Sequence, residues 1–336
     1  MGAPSTHWTR WAEMKIYPMS VSQAMYEPQH RQVIVEGIGS VVRDARAKLP
    51  HVADEVEAWI KWHSSTDEPA DYYTHPAAFP SFLLPWWAEG QATGAHDLIF
   101  QTDLARATGN LYYYTRIVDN LMDNHPTVER KLLPVAGYLV FQSQIHYRKH
   151  FPDGHPFWEW GDRIWSSFCD ACAKDIRLMD IDEDTFIKIV SQKCSGAKLA
   201  VGAVLYKCDR LDLLQPWMEW IDLYSSWHIL QEDMFDWKPD SEGNTPSYIL
   251  DEARRRKGEH ELLLVWLADE GVDWATAKLK VWMQQLRDMT FAPPETQAYL
   301  RVRDEYMLAQ VDERRPALAF ISRLAALGKR QPQSQG

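Results

Sequence analysis

The sequence predicts an all-α protein, folded as a single large bundle of about ten or eleven helices around a central cavity. Apolar residues recur every three or four positions along most of the 336-residue chain, which is the spacing of amphipathic helices. No segment shows the strict alternation of polar and apolar residues that is typical of a strand, and no linker is long enough to separate two domains. We therefore expect an irregular N-terminal arm over residues 1–30, one helical domain over 31–327 and a disordered tail over 328–336.

Prolines and polar turns set the predicted helix boundaries. The predicted helices are 29–48, 53–63, 98–124, 128–150, 157–175, 184–206, 213–238, 248–267, 274–289 and 295–326. The segment 71–87 is rich in proline and aromatic residues, so it either begins a short helix at Phe82 or lines the mouth of the cavity. Gly196 and Gly202 are expected to interrupt the helix over 184–206, because glycine weakens a helix interior.

The charge balance argues against a general nucleic-acid-binding protein. The chain carries 36 Lys and Arg against 47 Asp and Glu, a formal net charge of −11 at pH 7, whereas binding to nucleic-acid phosphates requires a basic surface. The only basic run in the sequence, 254–257, fits the solvated side of a helix better than a phosphate-binding patch. Bound divalent cations would balance part of the acidic excess.

Two further features of the composition bear on location and on the core. The sequence has neither a secretory leader pattern nor an apolar run of bilayer length, so we expect a soluble, cytoplasmic protein with no transmembrane segment. The four cysteines predict reduced thiols packed in the core, because Cys169-x-x-Cys172 lacks a second pair at zinc spacing. The 16 Trp, 14 Tyr and 11 Phe predict a bulky core, to which most tryptophans belong, or an aromatic-lined cavity.

The stretch 227–240 carries an acidic ladder between bulky apolar residues. In a helix, Glu232, Asp236 and Asp240 lie at i, i+4 and i+8 on one stripe, with Asp233 beside them. Like charges at i,i+4 cost about 0.2–0.5 kcal/mol each even on an exposed helix, and far more when they are partly buried. A solvated acidic face remains the alternative, but the apolar flanks favour a cation site. Carboxylate oxygens suit Mg²⁺, which also binds substrate phosphates.

A second acidic motif, D-N-L-M-D, lies near the end of the predicted helix 98–124. Asp119 and Asp123 are again i,i+4 partners, Asn120 lies between them, and Arg116 precedes Asp119 by one turn. In helical bundles, metal and ligand sites are built from side chains on facing helices. If the two acidic helices face each other, five or more carboxylates converge, which would require several divalent cations.

Together, the two motifs resemble those of the class I isoprenoid synthases, which include terpene synthases and trans-prenyl diphosphate synthases. These enzymes are α-helical bundles whose two facing motifs bind three Mg²⁺ ions and a substrate diphosphate. The first motif is similar to the D-x-x-x-D form of squalene and phytoene synthases, where R-x-x-D precedes it as Arg116 does here. The triad of Glu232, Asp236 and Asp240 resembles that of terpene cyclases. Residues 231–236 loosely resemble the Q-x-x-D-D-x-x-D motif of chain-elongating synthases.

The resemblance spans about residues 79–250 and implies a role for each matching residue. The metal ligands it implies are Asp119, Asn120, Asp123, Glu232, Asp233, Asp236 and Asp240, with Asp119, Asp123 and Asp236 as the catalytic residues. The segment S-Q-K-C-S-G-A over 191–197 resembles a broken helix whose kink near Gly196 carries a diphosphate-binding lysine, here Lys193. Arg116 either contacts the diphosphate or forms a structural bridge to an acid of its own helix. Arg301 and Arg303 lie where related cyclases have a basic lid residue, and local spacing does not choose between them.

Departures from the family pattern narrow the expected function. Asn120 replaces an Asp of the chain-elongating motif, no Arg-Arg follows the first motif, and no Gly-Gly-Lys with a following Arg occurs near the N-terminus. In elongating enzymes these basic groups hold a second diphosphate. We therefore expect a Mg²⁺-dependent class I terpene synthase that acts on one allylic prenyl diphosphate. The alternatives are a prenyltransferase, either head-to-head or acting on a non-isoprenoid acceptor, and a non-catalytic helical partner subunit; a homodimer is left open.

Overall fold

The computed structural model describes residues 25–122, 130–175, 177–243, 246–259 and 261–329. The side chains of 238–243, 326, 328 and 329 lie outside the description, as do the predicted N-terminal arm up to residue 24 and the tail from 330. Across the described ranges, every regular element is helical and none is a strand. The predicted all-α fold class is confirmed.

The helices follow one another with short connections. Those before residue 176 are α1 (Pro28–Lys48), α2 (Ala53–Ser64), α3 (Pro69–Tyr73), α4 (Leu83–Thr93), α5 (Leu98–Met122), α6 (Leu133–Arg148) and α7 (Pro156–Asp175). Those after it are α8 (Glu183–Lys193), α9 (Ser195–Lys207), α10 (Leu214–Gly243), α11 (Tyr248–Arg256), α12 (Leu263–Trp266), α13 (Val272–Asp288) and α14 (Pro294–Lys329). Short 3₁₀ turns at Arg130–Leu132 and Leu211–Leu213 and a π turn at Leu267–Gly271 complete the set.

Two long helices organise the packing, and each carries one of the acidic motifs. Helix α5 packs against α1, α6 and α9, whereas α10 packs against α8, α9, α11 and α13. Helix α9 contacts both, and its residues from Leu199 to Leu205 are buried. Because α9 lies against both acidic helices, it is a shared wall that fixes how far apart they stand.

Tryptophan supplies much of the core, as expected. Trp217, Trp220 and Trp227 of α10 are fully buried, and most of the other described tryptophans are also buried. One close approach depends on a glycine. A Cβ on Gly202 would lie 2.1 Å from the Trp160 ring, so only glycine lets α7 and α9 pack this closely. The predicted interruption of the helix at Gly202 was therefore wrong, because this glycine serves packing and α9 runs through it.

Several predicted boundaries differ from the structure. The predicted helix 248–267 is two helices, because Lys257 adopts extended backbone angles (φ −62°, ψ 150°) that end α11. The break within 184–206 falls at Cys194, two residues before Gly196. Helix α14 continues to Lys329, through the start of the predicted tail, and α1 begins at Pro28, inside the predicted arm.

The surface features agree in part with expectation. Arg254, Arg255 and Arg256 are exposed and form ion pairs with neighbouring acids, which confirms the solvated interpretation of the basic run. All four cysteines are free, but their predicted place in the core was wrong: Cys169 is exposed and the others are only partly buried. Over the described part of the chain, none of the helices is both long enough and apolar enough to cross a bilayer.

Candidate functional site

A cavity of about 460 Å³ lies between the two acidic helices and is bounded by α5, α7, α8, α9 and α10. Most of its wall is apolar, with Trp62, Phe79, Leu111, Phe168, Phe186 and Ile229 among the lining residues. Its polar and charged lining includes Arg116, Asp119, Asn120, Asp175, Lys193, His228, Glu232 and Asp233. The volume falls within the range of about 300–1,000 Å³ that is typical of small-molecule sites.

Helix α5 brings three of the predicted residues to this cavity. Arg116 Nη1 donates to Asp119 Oδ2 at 3.0 Å, as i,i+3 residues on one helical face can. Asn120 lies beside them and is buried. Burial alone would lower the pKa of Arg116, but the Asp119 carboxylate, together with Tyr112 and Tyr72, raises it. Both predicted roles of Arg116 are therefore compatible with its position, because the ion pair itself lines the cavity.

Helix α10 contributes the opposite acidic group. Glu232 and Asp233 line the cavity, and Ser247 Oγ donates to Asp233 Oδ2 at 3.5 Å. The Glu232 carboxylate also raises the pKa of Arg116, so the two acidic helices share one electrostatic environment. The sequence analysis had expected that the acidic groups of the two motifs would converge if their helices faced each other.

One predicted ligand, Asp236, does not line this cavity, and two others lie outside the description. Asp236 is only partly buried and is absent from the lining, because it lies one turn, about 6 Å, farther along α10. Asp123 lies outside the described residues, as does the side chain of Asp240. The structure thus gives no test of these two residues.

The helix break at Cys194 positions Lys193. Helix α8 ends at Lys193, whose Nζ lies 2.5 Å from Asp175 Oδ2 on α7. Burial lowers the pKa of the Lys193 ammonium, but the carboxylates of Asp119 and Asp175 outweigh it and raise that pKa above the ordinary value. Lys193 therefore stays protonated at the cavity, and the break at Cys194 lies two residues before Gly196, near which it was predicted.

A hydrogen-bonded chain on the cavity wall was not anticipated. His63 Nε2 lies 2.8 Å from Tyr112 Oη, and Tyr112 Oη donates to Tyr72 Oη at 3.1 Å. Burial raises the pKa of Tyr112 to about 12 and lowers that of His63 well below its usual value. All three groups are therefore neutral at neutral pH. Helical spacing back from Arg116 could have placed Tyr112, whereas the sequence contains no signal for His63.

Asp175 and His228 are also cavity residues that sequence reasoning missed. Asp175 is the last residue of α7, and its pairing with Lys193 spans 18 positions. His228 lies one turn before Glu232, with Nε2 at 3.5 Å from Glu232 Oε1. Its helical spacing from Glu232 was a usable signal, but a lone histidine in an apolar stretch is more often a core residue.

No model of a known protein family matches this chain. No curated protein is significantly similar to it in sequence either. The resemblance to class I isoprenoid synthases therefore rests on the motif residues alone.

The donors at the cavity were compared with what Mg²⁺ requires. Asp119, Asn120, Glu232 and Asp233 offer hard oxygen ligands, which suit this ion. Within the described ranges, no three His, Cys, Asp or Glu side chains form a group that could hold a metal by themselves. Mg²⁺ is usually bound by one or two carboxylates, several waters and substrate phosphates. The donor set fits ions that are shared with a phosphate-bearing ligand.

The cavity combines two chemical environments. Acidic and basic groups suit a charged phosphate with its metal ions, and the aromatic and aliphatic wall suits an apolar chain. A ligand with a diphosphate head and a hydrocarbon tail would satisfy both parts.

Proposed function

We propose that this protein is a cytoplasmic, Mg²⁺-dependent class I terpene synthase that ionises an allylic prenyl diphosphate and releases diphosphate. One observation carries the proposal: both acidic helices contribute side chains to a single cavity whose remaining wall is mainly apolar. The carboxylates of Asp119 on α5 and Glu232 on α10 both act on Arg116, so the charged groups converge.

In this proposal, the charged residues bind and orient the diphosphate. The oxygens of Asp119, Asn120, Glu232 and Asp233 hold the metal ions, up to three with Asp123 and the rest of the α10 ladder. Bound Mg²⁺ would neutralise the diphosphate and stabilise the negative charge that develops as it leaves. Arg116 contributes a guanidinium, whose planar set of donors matches phosphate oxygens.

Arg116 and Lys193 are held ready for this role by acidic partners. Arg116 forms an ion pair with Asp119, and Lys193 forms one with Asp175. These contacts restrict the conformations of both basic side chains before a ligand binds. A bound diphosphate would compete for the same N–H donors, and the Asp119 carboxylate would then be available to hold a metal ion. In the ligand-free protein, the acidic partners therefore occupy the N–H donors that phosphate oxygens would use.

The apolar wall protects the carbocation that remains after ionisation. Aromatic rings at the cavity would attract a nearby cation by about 0.5–2 kcal/mol each. Tyr72 and Tyr112 present neutral hydroxyls, which are weaker nucleophiles toward the cation than phenolates would be. The fold of the substrate against this wall would determine which product forms.

Head-to-head prenyl transfer is the second candidate. Its support is the R-x-x-D spacing, which resembles that of squalene-type enzymes and whose Arg116 and Asp119 both line the cavity. Transfer to a non-isoprenoid acceptor and a non-catalytic role in a synthase complex remain the less supported proposals.

The deciding experiment supplies purified protein with Mg²⁺ and allylic diphosphates of ten to twenty-five carbons. We expect diphosphate release together with a hydrocarbon or terpene alcohol, identified by mass spectrometry, and loss of both on chelation of Mg²⁺. A symmetric doubled product would support head-to-head transfer instead. Absence of diphosphate release from every substrate would contradict both enzymatic proposals.

A further inference from the structure

A buried arginine contacts α10 next to its acidic residues. Arg303 of α14 has no exposed surface, and a buried guanidinium is unfavourable unless its charge and its donors are satisfied. Among the described residues, no carboxylate lies within ion-pairing distance of it. Its Nη1 donates to the Pro76 carbonyl, and its Nη2 donates to His228 Nδ1 at 3.1 Å and to Gln231 Oε1 at 2.9 Å. The buried Nε has no hydrogen-bond partner among the described residues.

Aromatic rings complete the environment of this cation. The guanidinium carbon lies 5.1 Å from the centre of the Trp227 ring and 5.9 Å from that of Tyr306. Such contacts contribute more when the cation is shielded from water. Arg303 does not line the cavity. It is a buried cation held in place by its neighbours, and not the basic lid residue that was considered for this position.

The position of Arg303 determines which nitrogen of His228 carries the proton. Arginine has only donors, so His228 Nδ1 must accept the hydrogen bond from Arg303 Nη2. In a neutral imidazole the proton then resides on Nε2, which faces Glu232 Oε1 at 3.5 Å. Burial and the Arg303 charge lower the pKa of His228 well below its usual value, in agreement with a neutral ring.

We infer that Arg303 and His228 form a buried relay that fixes the Nε2–H tautomer of His228 and thereby positions the Glu232 carboxylate in the cavity. His228 is a positioning residue in this relay, because it acts through Glu232. The tautomer follows from the hydrogen-bond geometry alone. The role of Glu232 in holding a metal-bound diphosphate rests on the proposed function.

The relay ties a distant part of the chain to the acidic motif. Arg303 lies 75 positions after His228, and Gln231 Nε2 also donates to Gln310 Oε1 at 3.0 Å. Helix α14 therefore holds α10 through His228, which lies one turn before Glu232, and through Gln231, which directly precedes Glu232. Partners that orient a metal ligand commonly change metal affinity or activity by about 10- to 100-fold when they are removed.

The first test detects the tautomer directly. The full-length protein, labelled with ¹⁵N-histidine, is studied by long-range ¹H–¹⁵N correlation spectroscopy, and His228→Gln identifies the His228 signals by their loss. We expect a protonated Nε2 and an unprotonated Nδ1. A signal pattern with the proton on Nδ1, or with both nitrogens protonated, would overturn the relay whatever the activity of the protein.

The second test measures the positioning effect. Calorimetry follows binding of inorganic diphosphate in the presence of Mg²⁺ to wild type, His228→Leu and His228→Gln. We expect about 10- to 100-fold weaker binding for His228→Leu and recovery in His228→Gln, whose amide both accepts and donates. His146→Leu, at another buried histidine away from the cavity, should bind like wild type.

The outcomes separate the relay from the proposed function. Wild-type affinity in a folded His228→Leu variant would overturn the positioning role and leave the proposed function intact. Failure of the wild type itself to bind diphosphate with Mg²⁺ would instead contradict the proposed function, and the tautomer measurement would still decide the relay. Far-UV circular dichroism establishes that each variant is folded.

Discussion

Arg116 donates to Asp119 within the cavity wall at 3.0 Å, so a basic and an acidic residue of the predicted site neutralise each other when no ligand is bound. Asp119 is therefore expected to serve the ligand-free and the ligand-bound protein differently. In the first it compensates a partly buried guanidinium, and in the second, under the proposed function, it would bind metal.

Asp119→Asn should reduce Mg²⁺-dependent diphosphate release by about 10- to 100-fold, because an amide is a weaker ligand than a carboxylate. Glu232→Gln should do the same from the opposite helix. The measurement is a steady-state release assay with an allylic diphosphate. Asp162→Asn, at an exposed position of α7, is the matched control; full activity of both cavity variants would contradict the proposed site.

Lys193→Ala should weaken binding of inorganic diphosphate in the presence of Mg²⁺, since it removes a cation from the cavity. The loss should diminish at high salt, where charge interactions are screened. Isothermal calorimetry provides the measurement. Lys174→Ala is the control, because Lys174 pairs with exposed Asp170 on the surface of α7. Equal affinities in the two variants would contradict a role of Lys193 in diphosphate binding.

Isopentenyl diphosphate should not lengthen the product. Among the described residues that line the cavity, the cationic side chains are Arg116 and Lys193, and each has an acidic partner. Two such groups suit one diphosphate, whereas chain elongation binds two at once. Product analysis with and without isopentenyl diphosphate provides the measurement, and longer diphosphates that appear only in its presence would refute cyclisation.

Gly202→Ala should destabilise the fold by about 1–3 kcal/mol, because the added Cβ would overlap the Trp160 ring. Gly137→Ala on α6 offers a matched comparison, since its Cβ would meet no atom within 4 Å. That variant should be stabilised by about 0.5–1 kcal/mol through helix propensity. Urea unfolding monitored by circular dichroism measures both, and equal stability of the two variants would contradict the packing argument.

Asp103→Asn should destabilise the protein by about 1–3 kcal/mol at neutral pH. Asp103 is buried and accepts from Lys149 Nζ at 2.6 Å and from His150 Nε2 at 3.1 Å. Burial raises the pKa of Asp103, but these partners outweigh it and lower that pKa below the unfolded value.

The pH dependence of this effect follows from that direction. A carboxyl whose pKa is lower in the folded state contributes its full stabilisation above the unfolded pKa of about 3.9 and loses it as the pH falls through the folded value. The difference between wild type and Asp103→Asn should therefore be constant from pH 7 to about 5 and shrink below about 4. Urea unfolding at several pH values tests this, and a difference that grows on acidification would contradict the assignment.

Helical periodicity explains why the acidic groups could be predicted and their partners could not. The i,i+3 and i,i+4 spacings on α5 and α10 place Asp119 and Glu232 on definite faces, and two apolar helices with acidic ends indicate a shared cavity. Contacts between distant parts of the chain carry no such periodicity. The pairing of Arg303 with His228 spans 75 positions and that of Lys193 with Asp175 spans 18.

The structural effect of a single glycine could not be predicted from the sequence either. A glycine in a helical stretch indicates either a bend or a close neighbour, and the sequence alone does not distinguish these causes. At Gly202 the cause is the ring of Trp160, which belongs to another helix. The break predicted near Gly196 occurs at Cys194, two residues earlier, and a cysteine is not a residue type that indicates a helix break.

The break at Cys194 also means that the sequence of α8 can change in length without altering the packing of α9. In an uninterrupted helix, one inserted or deleted residue rotates everything beyond it by about 100°. Here Cys194 leaves helical geometry (φ −83°, ψ 21°), and α8 and α9 begin and end independently of each other. A length change in α8 can thus reorient Lys193 at the cavity while the buried residues of α9 keep their register, so the cavity lining can change without loss of the fold.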